Sequence, residues 1–210
     1  MAGNPVREKK SYLSVYKGKI VQRVPKGTEK SIERVTKTGE TIHELHFESF
    51  SAEIKNMYVE KTDYGMQCRL VLSDMGEEYV LNIATESSVF DSFAKRVPNI
   101  KSGVYYTIKP YDFESKEGKR MIGINIFDGK NKIDPFFTKD NPGNVPAFPT
   151  GGTEKAVKRW AIDKTEFFEN LVNDHGIKMS KTTQDKKNIG NVPPVKDAVT
   201  EEYDDSDLPF

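Results

Sequence analysis

Apolar and polar positions alternate with a period of two through most of the first 130 residues, which is typical of β-strands with one buried face. The stretch 12–22 reads as one such strand, and the basic, polar segment after it reads as turns or a long flexible hairpin. Leu45 and Phe47 then begin a longer strand, whose alternation changes phase near Ser49. One extra residue at that point predicts a β-bulge where the strand bends.

The region that follows predicts a meander, a helix and a second hairpin. Turns at 63–65 and 74–76 separate the strands of the meander. Ser87 or Ser88 caps a short amphipathic helix that Pro98 ends. The order strand, strand, strand, helix, strand, strand, with the first strand long and bent, is that of an OB-fold barrel. We therefore predict a mostly β protein: a five-stranded OB-fold barrel with an added N-terminal strand and one helix between barrel strands 3 and 4.

Beyond residue 130 the alternation weakens, and a segment rich in Pro, Gly and Asn reads as a linker or as an arm laid over the barrel. A C-terminal helix follows, which Gly176 is expected to end and which packs in cis or on a neighbouring copy. Its apolar side consists of Phe167, Phe168, Leu171 and Val172. The polar residues after it predict a disordered tether. The predicted parts are the barrel domain at 1–130, the arm and helix at 131–177, and the tether with an acidic tip at 178–210.

The formal net charge of zero hides an uneven distribution of charge. Residues 197–210 carry six acidic and no basic side chains, so residues 1–196 carry 32 bases against 26 acids, a balance of +6. A mildly basic body with a strongly acidic tail suggests a protein that binds nucleic acid and carries an interaction tail. The alternative is a neutral body whose tail improves solubility.

The sequence offers little support for catalysis or for a metal site. The motif HELH places His43 and His46 on opposite faces of a strand, where they cannot share a metal ion. No phosphate-binding loop and no G-x-S-x-G nucleophile motif occurs. The single cysteine, Cys68, excludes an internal disulfide and multi-cysteine zinc sites. We expect a protein that is not an enzyme and has no cofactor. The alternative is a nucleic-acid enzyme, such as a nuclease, with a site assembled from distant residues.

Nothing in the sequence predicts a membrane segment. No apolar run approaches the length of a membrane span, and the N-terminal residues do not resemble a signal peptide. We therefore expect a soluble, cytoplasmic protein.

The second hairpin interleaves aromatic and basic residues, which is the combination that binds single strands with little sequence preference. Cationic groups follow the phosphates, and flat rings stack on the bases with a free energy of about 1–3 kcal/mol per base. The candidates on this hairpin are Tyr105, Lys109, Tyr111, Phe113, Lys119 and Arg120. Weaker candidates on the middle strands are Lys55, Tyr58, Lys61, Tyr64 and Arg69. Trp160 either stacks on a base or anchors the arm. The alternative for the rings is that they cover a barrel end or a neighbouring helix.

The chain ends in the sequence DDSDLPF, an acidic run followed by Leu, Pro and a terminal Phe. This tip resembles that of bacterial and bacteriophage single-stranded DNA-binding proteins, in which an acidic run precedes an aliphatic residue, Pro and a C-terminal Phe. The resemblance implies a protein, most simply a phage protein, that binds and protects single-stranded DNA during replication, recombination and repair. It also implies that replication and recombination enzymes bind the tip residues Asp204, Asp205, Asp207, Leu208, Pro209 and Phe210. The alternative is an accessory protein of these processes whose barrel binds protein.

Removal of Asp204–Phe210 is expected to preserve or tighten the binding of single-stranded DNA while abolishing the recruitment of partner enzymes. The reason is that a tethered acidic segment, at an effective concentration on the order of millimolar, competes with DNA for the protein's own basic surface. Titration of full-length and truncated protein with a labelled oligonucleotide measures the first effect, and co-precipitation of replication enzymes measures the second. Loss of DNA binding by the truncated protein contradicts this design.

Overall fold

A computed structural model describes residues 10–36 and 38–189 of the chain, with side chains up to residue 180. The predicted acidic tip lies outside these residues. The strands are β1 Ser11–Tyr16, β2 Lys19–Val24, β3 Ile32–Val35, β4 Thr41–Phe47, β5 Phe50–Thr62, β6 Gly65–Asp74, β7 Glu77–Ala84, β8 Tyr105–Glu114, β9 Arg120–Asp128 and β10 Asn131–Lys132. The helices are α1 Ser88–Ala94 and α2 Glu154–Ile189, and a short 3-10 turn spans Val97–Asn99.

The ten strands form one curled sheet in the order β10-β9-β8-β5-β6-β7-β1-β2-β4-β3. All neighbours pair in antiparallel fashion except β1 and β7, which are parallel. The prediction of a mostly β protein is confirmed. The basic segment that was expected to be a flexible hairpin contains β3, which pairs with β4 and lies at one edge of the sheet.

The long strand bends where the change of phase predicts it. Strand β4 ends at Phe47 and β5 begins at Phe50. On one side of this break β4 pairs with β2 and β3, and on the other side β5 pairs with β6 and β8. A second irregularity shifts the β5–β6 register between Ile54 and Asn56. Because of this bulge Ile54 and Met57, three residues apart, are both fully buried.

The core lies on the inner face of the curl. Five of its fully buried residues come from five different elements, and they are Ile54, Leu70, Leu81, Phe90 and Ile108. Helix α1 closes one side of this core: the side chain of Ser87 accepts a hydrogen bond from the Phe90 N–H at 3.2 Å, which confirms the predicted cap. Phe90 and Phe93 both face inward with no exposed surface.

Hydrogen bonds between strands do not close the sheet, so the predicted five-stranded barrel is not confirmed. One edge of β7 is occupied by β1, with Leu13 opposite Leu81. β10 pairs with β9 only at Phe127 and Asp128. At Ile124 the hydroxyl of Ser92 in α1 takes the place of a strand: it donates to the Ile124 carbonyl and accepts from the Ile124 N–H, each at 3.1 Å. The curl is completed by packing of the β1–β2 turn against β8. The two approach so closely that a Cβ on Gly18 would lie 2.8 Å from the Asp112 backbone nitrogen.

Helix α2 is longer than predicted and packs on β5 of the same chain. It begins at Glu154 and runs through Gly176 to Ile189, so the glycine does not end the helix and residues 178–189 are helical, contrary to the predicted tether. Gly176 is instead the point of closest approach: a Cβ there would lie 1.8 Å from the Met57 carbonyl oxygen. One turn away Asn173 Oδ1 accepts a hydrogen bond from the Val59 N–H at 2.7 Å. The helix thus covers the part of β5 that β8 does not pair with.

Replacement of Gly176 by alanine is expected to lower the free energy of unfolding by about 2 kcal/mol or more, because the added methyl group collides with the β5 backbone. This collision outweighs the gain in helix propensity, which is about 1 kcal/mol. Denaturant unfolding measures the difference. The neighbouring variant Ile177→Ala, at a residue that is 55% exposed, serves as the control and is expected to stay within about 0.5 kcal/mol of wild type. A Gly176→Ala protein as stable as wild type contradicts the close contact.

Candidate nucleic-acid interface

Strand β8 presents its predicted residues on the outer face of the sheet, the side opposite the core. Tyr106 and Ile108 are buried on the inner face, and the alternation places Tyr105, Lys109 and Phe113 outward, as predicted. The surroundings of Tyr105 are acidic, however. Its hydroxyl donates a hydrogen bond to the Asp74 carboxylate, which raises the pKa of Tyr105, and Glu53 stands opposite it in the ladder. A phosphate would meet repulsion at this end of β8.

The other rings of the hairpin lie at its far end. Tyr111 is only partly exposed because it lies across Gly123 on β9, where a Cβ would be 2.3 Å from the tyrosine oxygen. Phe113 is 55% exposed, contacts the Tyr111 ring at a centroid distance of 5.7 Å and pairs across the ladder with Met121, which is 43% exposed. This small apolar patch leaves Phe113 accessible for stacking.

Two of the predicted basic side chains on this hairpin are paired with acidic side chains of the same hairpin. Arg120 donates two hydrogen bonds to Asp112, at 2.8 and 2.7 Å, and Lys119 lies 3.5 Å from Glu117. The guanidinium lowers the pKa of Asp112, and the carboxylate raises the pKa of Arg120. Exposed pairs of this kind contribute little to stability, so a phosphate can exchange with the carboxylate.

The β5–β6 group is only partly brought together. Tyr58 stands directly opposite Arg69 on the outer face, and Arg69 is held by Glu60 at 2.5 Å. Tyr64, in the turn between the strands, is 92% exposed. Lys61 shares the phase of buried Met57 after the bulge and therefore belongs to the inner face, although it is exposed at the end of the strand.

Lys55 and Trp160 are engaged in local contacts. Lys55 lies in the β5 bulge, 2.5 Å from Glu53. The indole N–H of Trp160 donates to the Pro146 carbonyl at 2.9 Å, and its ring meets Phe148 at 4.9 Å. These contacts favour the alternative in which Trp160 anchors the arm, and we leave it out of the interface.

The parallel pairing of β1 with β7 adds a residue that the sequence analysis missed. The ladder places Tyr58, Arg69, Asn82 and Ser14 in one row across four strands, and Tyr12 stands in the next row beside Val80. Tyr12 is 53% exposed. Its position between Ser11 and buried Leu13 marked it as an outward residue, but nothing local indicated that its strand would lie beside β7.

A groove of about 800 Å³ continues this row toward β3. The β5–β6 turn, with Tyr64, and the β3–β4 turn, with Thr36 and Thr38, both border it. Its lining includes Tyr12, Ser14, Val21, Arg23, Arg34 and Asn82. The groove therefore joins residues from the predicted site to residues of the added N-terminal strands.

A buried glutamate organises one side of the groove. Glu44 is 4% exposed and accepts two hydrogen bonds from Arg34, at 2.8 and 2.6 Å, and the guanidinium lies 4.4 Å from the centre of the Tyr16 ring. His46 Nε2 lies 3.4 Å from the same carboxylate. The hydrogen bonds from Arg34 lower the pKa of Glu44 although burial acts in the opposite direction. Glu44 is therefore a charged group that fixes the plane of Arg34.

Comparisons of this chain with protein-family models, with curated proteins and with solved structures find no match. Over residues 10–36 and 38–189, no helix is long and apolar enough to cross a membrane. In the same part of the chain no three His, Cys, Asp or Glu side chains form a group able to hold a metal ion.

Glu44 is expected to make the stability of the fold depend on pH. Its pKa in the folded protein lies below the ordinary value of 4.5, so the pair with Arg34 stabilises the fold above that value and the contribution is lost as the pH falls through the lowered pKa. We expect Glu44→Gln to be about 1.5–3 kcal/mol less stable than wild type near pH 7, with the difference shrinking below about pH 5. Denaturant midpoints at a series of pH values test this. Glu117→Gln, which breaks the exposed pair with Lys119, is the control, and parallel pH profiles for wild type and Glu44→Gln contradict the assignment.

Proposed function

We propose that this protein binds and protects single-stranded DNA, without strong sequence preference and without catalysis, during DNA replication, recombination and repair. The observation that carries the proposal is the continuous outer face on which Tyr58, Arg69 and Tyr12 stand in adjacent rows beside exposed Tyr64. Rings of this kind stack on any base, and cationic groups beside them follow the phosphates. The proposed interface extends across the sheet toward the exposed Lys109 and Phe113 on β8.

The strand order supports a relation to the OB fold. Strands β5 to β9, with α1 between β7 and β8, follow the order of an OB barrel, and the sheet curls around one core. We regard the fold as an open variant of that barrel, in which β1 occupies the edge of β7 while the short strand β10 and helix α1 share the edge of β9. Nucleic acid binds on the outer face of such a sheet and between the loops at its ends.

We propose that the acidic tip recruits partner enzymes. The proposal here is supported by the sequence: Phe210 offers an apolar ring, and three aspartates stand shortly before it. A partner needs a small apolar pocket with an arginine or lysine at its edge, and the aspartates add a longer-range attraction that salt screens. Binding is expected to be modest in affinity and salt-sensitive.

Binding of oligo-dT to the full-length protein is expected to weaken as salt rises, with a slope of about −0.7 in log affinity against log salt for each phosphate contacted. Titrations by fluorescence anisotropy at several salt concentrations measure this slope. A duplex of the same length and an RNA oligomer serve as matched ligands. Absence of binding even in dilute buffer contradicts the proposal and favours the accessory protein whose barrel binds protein. Metal-dependent cleavage of the labelled DNA favours the nuclease.

A further inference from the structure

The groove between the two hairpin turns has the size and shape of a site for one nucleotide unit. Its volume of about 800 Å³ lies within the usual range for small-ligand sites, which is about 300–1,000 Å³. Tyr64 borders it from the β5–β6 turn, Thr36 and Thr38 border it from the β3–β4 turn, and Ser14 and Asn82 belong to the strands between them. Two turns on either side of a sheet surface can hold a flat ligand in place.

Two tyrosine rings at the groove are available to a ligand. Tyr12 is 53% exposed and Tyr64 is 92% exposed. Neither ring makes an aromatic or cation–π contact with another described residue. A large aromatic residue at the tip of a turn, with almost its whole ring in water, contributes little to the fold. Tyr64 is therefore placed to stack on a ligand that enters the groove, and Tyr12, beside Val80 on β1, has about half of its surface open there.

Among the described residues, the charged side chains that line the groove are already paired with one another. Arg34 is bound to Glu44 at 2.6 Å, and Arg23 is bound to Glu40 at 3.3 Å. Among the described residues that line the groove, these two pairs account for every charged side chain. A phosphate entering the groove would have to displace a carboxylate from its arginine. An uncharged planar group meets no such competition.

The groove also keeps unused hydrogen-bonding capacity. Asn82 lines the groove, and its Oδ1 is shielded from water and has no hydrogen-bond partner among the described residues. The hydroxyls of Ser14, Thr36 and Thr38 lie around the same space. Nucleobases combine a flat face with donors and acceptors at their edge, and this is the chemistry that such a lining fits.

We infer that this groove binds one unpaired base of a single strand, stacked on Tyr64 and Tyr12, while the phosphates are bound elsewhere on the protein. The inference rests on the proposed function, because it supposes that the ligand is a single strand. It adds a site built largely from β1 to β4, outside the five strands that resemble the OB barrel. The inference also predicts that the groove contributes base stacking and no counterion release. Its contribution to affinity is therefore expected not to depend on salt.

The test compares two ligands of equal length: oligo-dT, and an abasic deoxyoligomer that has the same phosphates and no bases. Full-length wild type, Tyr64→Ala and Tyr12→Ala are titrated with each at several salt concentrations. Tyr64→Ala is expected to weaken binding of oligo-dT by about fivefold to 150-fold, with the salt slope unchanged. Its affinity for the abasic oligomer is expected to equal that of wild type. Tyr12→Ala is expected to behave in the same way with a smaller loss.

Met75→Ala is the matched control, since Met75 is 99% exposed in the β6–β7 turn and does not line the groove. It is expected to bind both ligands as wild type does. Equal weakening toward both ligands, or a salt slope reduced by about 0.7, would show that the groove contacts phosphate and would overturn the inference. Wild-type affinity of both tyrosine variants for oligo-dT would also overturn it while leaving the proposed function intact. Failure of wild type to bind oligo-dT at all would remove the proposed function and the base site together.

Discussion

The parallel pairing of β1 with β7 is the contact on which the rest of this structure depends. It occupies the edge of β7, so the sheet continues through β1, β2, β4 and β3 and does not close on β9. It also sets Ser14 beside Asn82 and Tyr12 beside Val80 on the outer face and so forms one part of the groove. The register of four residue pairs, with Leu13 buried against Leu81, keeps every outward residue of β1 on the side of the proposed interface.

Helices cover two stretches of strand backbone that no neighbouring strand pairs with. Ser92 of α1 satisfies the Ile124 backbone at the edge of β9, and Asn173 of α2 satisfies the Val59 N–H where β8 has left β5. Both are side-chain replacements for a missing strand, and both prevent the edge from pairing with another molecule. Gly176 permits the second contact, since any side chain there would meet the β5 carbonyl. An interrupted sheet is thus stabilised without a closed barrel.

The outer surface is rich in charge, yet much of that charge is held in ion pairs. Arg69, Arg120 and Lys55 each have an acidic neighbour within 3 Å. Under the proposed function, a DNA phosphate has to exchange with those carboxylates, so electrostatic attraction is expected to be moderate and strongly dependent on salt. The aromatic rings then matter more to affinity, because stacking has no such competitor. For the proposed binding of unpaired bases, ring placement therefore matters more than net charge.

The sequence by itself determined most of the local elements: the alternating strands β5 to β9, the bend near Ser49, and α1 with its cap at Ser87. The stretch 12–22, predicted as one strand, is instead divided into β1 and β2 by a turn at Lys17 and Gly18. These follow from residue period and capping chemistry, which act over a few neighbouring positions. Only the tertiary structure decided that β1 lies beside β7, that Glu44 is buried with Arg34, and that Gly176 sits inside a helix. The choice of a strand's partner and the closeness of a helix to a strand depend on residues far apart in the chain. A period of two reports which residues face inward and carries no information about which strand lies next to them.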